Sequence, residues 1–368
     1  MISIQSLLSQ VANNITPYQW EDTSFGSLRF DANTLPFPPP SLQLFLQKMK
    51  KNCLINEYAD PAYKTLRKLI AKYENVDASM ITVTNSGDEA IDILAKTFLN
   101  PGDYFITTPP TYEMFTIQCE INNGKPLPVP LVSKRWRIDA EKIIKESKNG
   151  KVKLIFLVNP NNPTASIIPP GQVEIIIKQS QAIVVVDEAY REFYGKTSVP
   201  LLKKYHNLVV LRSFSKFAGI AGARIGYLIG NPKLSEKFDA IRFPMGVSYL
   251  SYKLAETVLE NDQEWIKTQV EMIKKERSKM ATNFSSLGFY VYSSQANFLL
   301  VDMGEKAKKI CQMLKERNII VRDRSSKPYL QGCVRITIRS PQENNQLLQT
   351  LHTIIFRLEM INDLNHLV

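Results

Sequence analysis

The segment from Ile81 to Gly230 restricts the fold more than any other part of the chain, because short apolar, β-branched runs alternate there with helical stretches. ITVTN (81–85) is followed by DEAIDILAKTFL, YFITT (104–108) by a helix through Tyr112 and Ile121, and KLIFLVN (153–159) by VEIIIKQS. AIVVVDEAY (182–190), NLVVLRSFS (207–215) and ARIGYLIG (223–230) complete the strands. Short apolar runs bounded by loops suit strands buried on both faces. The expectation is an α/β core, a mostly parallel sheet flanked by helices.

After Pro244 the pattern changes to a long helical tract, then to FYVYSS, ANFLLVDM and CVRITIR interleaved with helices near 306–317 and 341–360. That succession suits a smaller α+β domain hinged on the tract. Pro17, Pro36, Pro38, Pro39 and Pro40 make the opening stretch read as an extended arm rather than a helix. The expected division is an N-terminal arm over 1–40, a large domain over 41–245, and linking helices with a small C-terminal domain over 246–368.

Composition removes several function classes. No apolar run approaches the roughly 18 residues of a membrane-spanning helix, and MISIQSLLSQVANN has neither a cationic leader nor a small-residue cleavage site, so a cytoplasmic location is expected. Cys53, Cys119, Cys311 and Cys333 are scattered without a CxxC pair, which points to reduced thiols and no metal centre. The three histidines sit in no motif with a carboxylate or a nucleophile, which disfavours triad hydrolysis. Lys plus Arg number 46 against 35 Asp plus Glu. The densest basic cluster, Glu141 to Lys153, carries two glutamates and no stacking aromatics. The excess charge therefore suits attraction of small anionic substrates better than nucleic acid.

Three segments at the C-terminal ends of expected strands carry the chemistry: NPNNPTA, VVVDEAY and SFSKFAGIAGAR. Open α/β sheets bind ligands along that edge. Singly, each segment reads as a turn, a helix cap or a surface charge. Their joint occurrence, with PY at Pro17, YADP at Tyr58, NSGDEAID at Asn85, PTYEMF at Thr111, GARIGY, VRD at Val321 and VRIT at Val334, resembles the fold-type-I aminotransferases that use pyridoxal 5′-phosphate. Within them the chain is similar to the histidinol-phosphate aminotransferase branch.

The resemblance implies a site residue by residue. Lys216 is the amine that condenses with the cofactor aldehyde and then serves as acid and base, a task that needs a desolvated lysine of lowered pKa. Asp187 keeps the pyridine nitrogen protonated, and Tyr190 and Asn162 hydrogen-bond the ring's phenolate oxygen. Tyr112 stacks on the ring. The cofactor phosphate falls to the backbone N–H groups of Gly87 and Asp88, where SGDEAI opens a helix after a strand, and to Ser213, Ser215 and Arg224. Neither GxGxxG nor GxxxxGK[ST] is present. Tyr58 reaches the phosphate of a neighbouring subunit, which implies a homodimer. Arg335 grips the substrate anion with a planar fork, and Arg322 adds a second cation. Tyr18 and Asn33 complete the substrate site.

The implied reaction passes the amine of histidinol phosphate to 2-oxoglutarate, a step of histidine biosynthesis. Transamination of aromatic or other amino acids remains open, as does a lyase resembling threonine-phosphate decarboxylase. Two departures bear on this choice. Ala165 stands where the family has glycine after NPNNPT, and the arm reads ANTLPFPPP, keeping Asn33 but losing the family's glutamate and glycine.

Overall fold

A computed structural model describes residues 3–15, 26–58 and 60–366. The strands are β1 (Leu28–Phe30), β2 (Ile81–Thr84), β3 (Tyr104–Thr107), β4 (Lys125–Pro128), β5 (Val152–Val158) and β6 (Ile183–Asp187). They continue as β7 (Leu208–Ser213), β8 (Gly226–Ile229), β9 (Tyr290–Val291), β10 (Phe298–Asp302), β11 (Ile319–Asp323) and β12 (Cys333–Thr337). Among the described residues they form a seven-stranded sheet, β2-β8-β7-β6-β5-β3-β4, and a five-stranded sheet, β1-β11-β12-β10-β9.

In the large sheet β4, β3, β5, β6 and β7 run parallel, and β8 is antiparallel to both β7 and β2. The mostly parallel reading therefore holds. Strands β6 and β7 are buried almost throughout, which is why their sequences run apolar rather than alternating. The helix Ser86–Phe98 lays Ala90, Ile91, Leu94 and Ala95 on this sheet, with Asp88 and Glu89 in its first turn and Lys96 in its last, matching its dipole. β4 is absent from the sequence reading because KPLP contains two prolines. Proline is tolerated there only because β4 is an edge strand.

Behind the sheet, Arg212 of β7 is 1% exposed. Its Nη2 donates to Glu74 Oε1 at 2.7 Å, Tyr227 donates to the same oxygen at 2.6 Å, and Nη1 donates to the Glu188 carbonyl at 3.0 Å. This cluster ties the helix Lys64–Glu74 to β7, β8 and the end of β6.

The opening arm corrects the expectation of a wholly extended segment. Ile4–Leu7 forms a 3₁₀ turn, and Gln10–Asn14 a short helix whose Ser9 cap accepts from Ala12 N–H. The first proline comes only at Pro17, so nothing upstream forbids a helix. Further along, β1 pairs in parallel with β11 and closes the edge of the smaller sheet. The helix expected through Tyr112 begins instead at Met114, after Glu113, so Tyr112 sits in the loop before it.

Candidate active site

The parallel strands end along one edge of the large sheet, and the loops leaving β2, β5, β6 and β7 meet the pocket-facing side of the smaller sheet around a cavity of about 560 Å³. Lys216, Asp187, Tyr190, Gly87, Asp88, Tyr112, Asn162, Ser213, Ser215, Arg224, Arg335, Arg322 and Asn33 all line it. The sequence reading of the site thus converges on one place. Tyr18 lies outside the described residues. Tyr58 does not line the cavity and is 86% exposed.

Lys216 follows β7 in the single turn Phe214–Phe217, whose cap Ser213 accepts from Ser215 N–H. Its Nζ donates to the Ala32 carbonyl at 3.0 Å. Burial, then the nearby Arg335 and Arg224 charges, bring its pKa down to about 8 against the pull of Asp88 and Asp187. Such an amine is neutral, hence nucleophilic, in a far larger fraction near physiological pH than an ordinary lysine.

Asp187 closes β6 and is 7% exposed. Burial pushes its carboxyl up to about 7, although Ala189 N–H donates to Oδ1 at 2.9 Å and favours the charged form. The site is thus poised to receive a cationic group against that oxygen pair. Tyr190 accepts from Asn33 Nδ2 at 3.0 Å and packs edge-on against Phe298. Asn33, at φ 53, is held by Thr337 and by Asn297 Nδ2, so the arm is pinned to β12.

The opposite end of the cavity is the N-terminus of the helix Ser86–Phe98. Gly87 abuts Leu211, and at Gly226 of β8 a Cβ would fall 2.5 Å from the Ser86 carbonyl carbon, so only glycine lets β8 pass this turn. Asp88 accepts from the Tyr112 hydroxyl and from Arg224 Nη2, each at 2.8 Å, fixing both side chains at the rim. A helix N-terminus, two serines and an arginine suit a phosphate.

At the smaller sheet, Arg322 and Arg335 are opposite each other across β11 and β12. Arg335 lies over the Phe298 ring, and its Nη1 donates to Asn162 Oδ1 at 2.7 Å while Nη2 donates to the Asp31 carbonyl. Ala165 takes a φ of 56, the left-handed conformation glycine adopts freely, and is buried away from the cavity. Arg29, Asp31 and Ser86 also line the cavity and were missed in the sequence. The alternation Leu28-Arg29-Phe30-Asp31, apolar to one face and charged to the other, was the signal that could have found the first two.

The sequence matches the family model for class I and II aminotransferases over residues 24–351. The chain belongs to that family. This aminotransferase is 34% identical over 354 residues to histidinol-phosphate aminotransferase of Caldanaerobacter subterraneus subsp. tengcongensis, spanning 96% of this chain and 99% of the relative. It is 36% identical over 329 residues to the protein of the same name from Thermoanaerobacter pseudethanolicus, spanning 89% and 93%. The aminotransferase fold superposes, with a TM-score of 0.83 at 26% identity, on the crystal structure of histidinol-phosphate aminotransferase from Sinorhizobium meliloti in complex with pyridoxal-5′-phosphate, covering 90% of this chain and 91% of that one.

Proposed function

We propose that this aminotransferase moves the amino group of histidinol phosphate to 2-oxoglutarate, giving imidazole acetol phosphate and glutamate, with pyridoxal 5′-phosphate as cofactor. The observation that carries the reading is the pairing of Arg322 with Arg335 on the wall of the cavity that also holds Lys216. One bidentate fork satisfies a carboxylate, whereas two guanidiniums suit a phosphate monoester. The names of the relatives support the same substrate.

The residues present fit the cofactor. Gly87 and Asp88 N–H, Ser213, Ser215 and Arg224 would hold its phosphate, and Asp187 its pyridine nitrogen, whose positive charge answers a buried carboxyl. Asn162 gives its carbonyl to Arg335, so its Nδ2 would be the end that donates to the ring's phenolate oxygen. Tyr190, which accepts from Asn33, would be that oxygen's second partner. Tyr112, held by Asp88, would cover the ring. When bound, pyridoxal 5′-phosphate supplies an electron sink for charge developing at the substrate carbon. Lys216 Nζ would carry the proton from that carbon to the cofactor's aldehyde-derived carbon, and the opposite way in the second half-reaction, its lowered pKa suiting both directions. Arg335 and Arg322 orient the substrate anion, with Asn33 and Tyr18 assigned to the same substrate site.

We read residues 41–245 as the large cofactor domain and 246–368 as linking helices and the smaller domain, to which the 1–40 arm lends β1. Tyr58, exposed in its own chain, is assigned to the phosphate site of a second copy, so that the unit is a homodimer with shared sites. Four free cysteines, and no helix among the described residues long and apolar enough to cross a membrane, support a cytoplasmic setting.

A side-by-side assay with histidinol phosphate, phenylalanine, tyrosine and threonine phosphate as amine sources tests the substrate. Histidinol phosphate should give the highest kcat/KM, and Arg322→Ala should lower it far more than the value for glutamate. A higher kcat/KM for phenylalanine or tyrosine, or carbon dioxide release from threonine phosphate, would overturn the reading.

A further inference from the structure

The Lys216 amine sits at the end of a flexible side chain, so where it stands depends on what accepts its hydrogen bond. Among the described residues that acceptor is the Ala32 carbonyl, 3.0 Å from Nζ. Ala32 lies between β1 and the helix Leu42–Lys51, outside any strand or helix. No regular backbone ladder therefore sets the direction of its oxygen.

The direction is set from β12. The Ala32 carbonyl and the Asn33 N–H belong to one planar trans peptide and point opposite ways. Asn33 N–H donates to Thr337 Oγ1 at 2.9 Å. One rigid unit is thus held by Thr337 on one side and meets Lys216 on the other. The Thr337 hydroxyl donates in turn to Asn33 Oδ1 at 3.1 Å, and Asn297 Nδ2 donates to the Asn33 carbonyl at 2.9 Å, which fixes the next peptide. Thr337 and Asn297 are both fully buried. Strand alternation puts Thr337 on the same face of β12 as Arg335, while Val334 and Ile336 go to the core. Thr337 itself does not line the cavity.

We infer that Thr337 is a positioning residue for Lys216, which across the single Ala32–Asn33 peptide aims the Ala32 carbonyl at Nζ and so fixes where the amine stands in the cavity. The inference rests on the reading of Lys216 as the amine that captures the cofactor. Valine has the shape of threonine but offers no acceptor, so it would leave the Asn33 N–H buried and unpaired. The peptide relieves that cost by turning, and the Ala32 oxygen turns with it. A hydrogen bond to the ammonium favours the charged form, so without it Lys216 releases its proton at lower pH.

Besides burial, Arg335 of β12 and Arg224 before β8 also drive that proton off, while Asp88 of the helix Ser86–Phe98 and Asp187 of β6 hold it. Arg29, Asp31 and Arg322 border the cavity from the strands beside β12, and Tyr112 and Tyr190 from the larger sheet's loops. Thr337→Val replaces none of these groups.

Capture of pyridoxal 5′-phosphate by the full-length cofactor-free protein, followed by its visible absorbance from pH 5.5 to 9, tests the role. The wild-type rate should level off near pH 8. In Thr337→Val it should level off about one pH unit lower, the tenfold scale of one charge-assisted hydrogen bond, whereas Thr337→Ser, which keeps the hydroxyl, should follow the wild type. A Thr337→Val protein that is merely less stable, with capture still levelling near pH 8, would overturn the inference, as would a Thr337→Ser profile shifted as far as that of valine. Should Thr337→Val fail to fold, Thr337→Cys, a weaker acceptor of similar size, should shift the levelling the same way, and an unshifted profile would count against the role. Lys216→Ala separates the two readings. If it still captures the cofactor, the assignment of Lys216 falls and the inference with it; if it does not, an unshifted Thr337→Val profile refutes only the role of Thr337.

Discussion

Replacing Asp187 by asparagine should stabilise the cofactor-free protein while disabling the enzyme. Burial raises the Asp187 carboxyl from its ordinary 3.8 to about 7, so the folded chain holds this proton more tightly than the unfolded one. Its contribution to stability is complete below pH 3.8 and is lost as pH rises through 7. At about 1.4 kcal/mol per pKa unit, burying this carboxyl costs the cofactor-free fold about 4 kcal/mol at pH 8, where it stays ionised, and about 2 kcal/mol at pH 5, where folding must first protonate it. Asparagine keeps an oxygen for Ala189 N–H and never ionises. Urea unfolding of cofactor-free Asp187→Asn should therefore show a gain of about 4 kcal/mol at pH 8 that falls to about half at pH 5. With the cofactor bound, the counter-charge for the ring nitrogen is gone, and single-turnover rates should drop about 10²-fold or more. A variant less stable than wild type at pH 8, or a gain equal at both pH values, would refute the reasoning.

Lys216 and Tyr58 give two further expectations. Only the neutral amine attacks an aldehyde, so the rate at which cofactor-free protein captures pyridoxal 5′-phosphate, followed by its visible absorbance, should climb about tenfold per pH unit toward 8 and then level off. A climb continuing to pH 10 would contradict the lowered pKa, and Lys216→Ala should show no capture band at any pH. In a homodimer with shared sites, mixing inactive Lys216→Ala with Tyr58→Ala subunits should recover about a quarter of wild-type activity, because half the dimers are mixed and each has one intact site. Activity no higher than that of the separate variants, or a loaded protein that sediments as a monomer, would exclude the shared site.

The chemistry was legible in the sequence wherever a motif sits at the end of a long apolar strand. AIVVV delivers Asp187 and NLVVLRSFS delivers Lys216, since strands of that kind leave little choice about where their ends lie. CVRITIR shows the alternation of a strand with one face on the core, which places Arg335. What escaped depends on contacts between distant parts of the chain. β1 is three residues long and exists only because β11 pairs with it, so the one alternation that marks Arg29 and Asp31, Leu28-Arg29-Phe30-Asp31, is short enough to pass for chance. β4 was hidden by its prolines, and the helix expected through Tyr112 starts two residues later, which leaves Tyr112 at the cavity but in a loop.

The pinning of Asn33 to Thr337 joins residues 304 positions apart. On the ribosome, at about 5–20 residues per second, the arm waits roughly 15–60 s for its partner strand to be made. In the later part of that interval Asp187 and Lys216 have already been synthesised, yet the wall bearing Arg335 and the backbone oxygens of Asp31 and Ala32 cannot close over them. The large sheet can fold early, but its cavity is open to water on one side until synthesis passes Thr337. Catalytic competence is therefore among the last properties the chain acquires, and a product cut short before Cys333 would carry the lysine without the pocket that gives it a substrate.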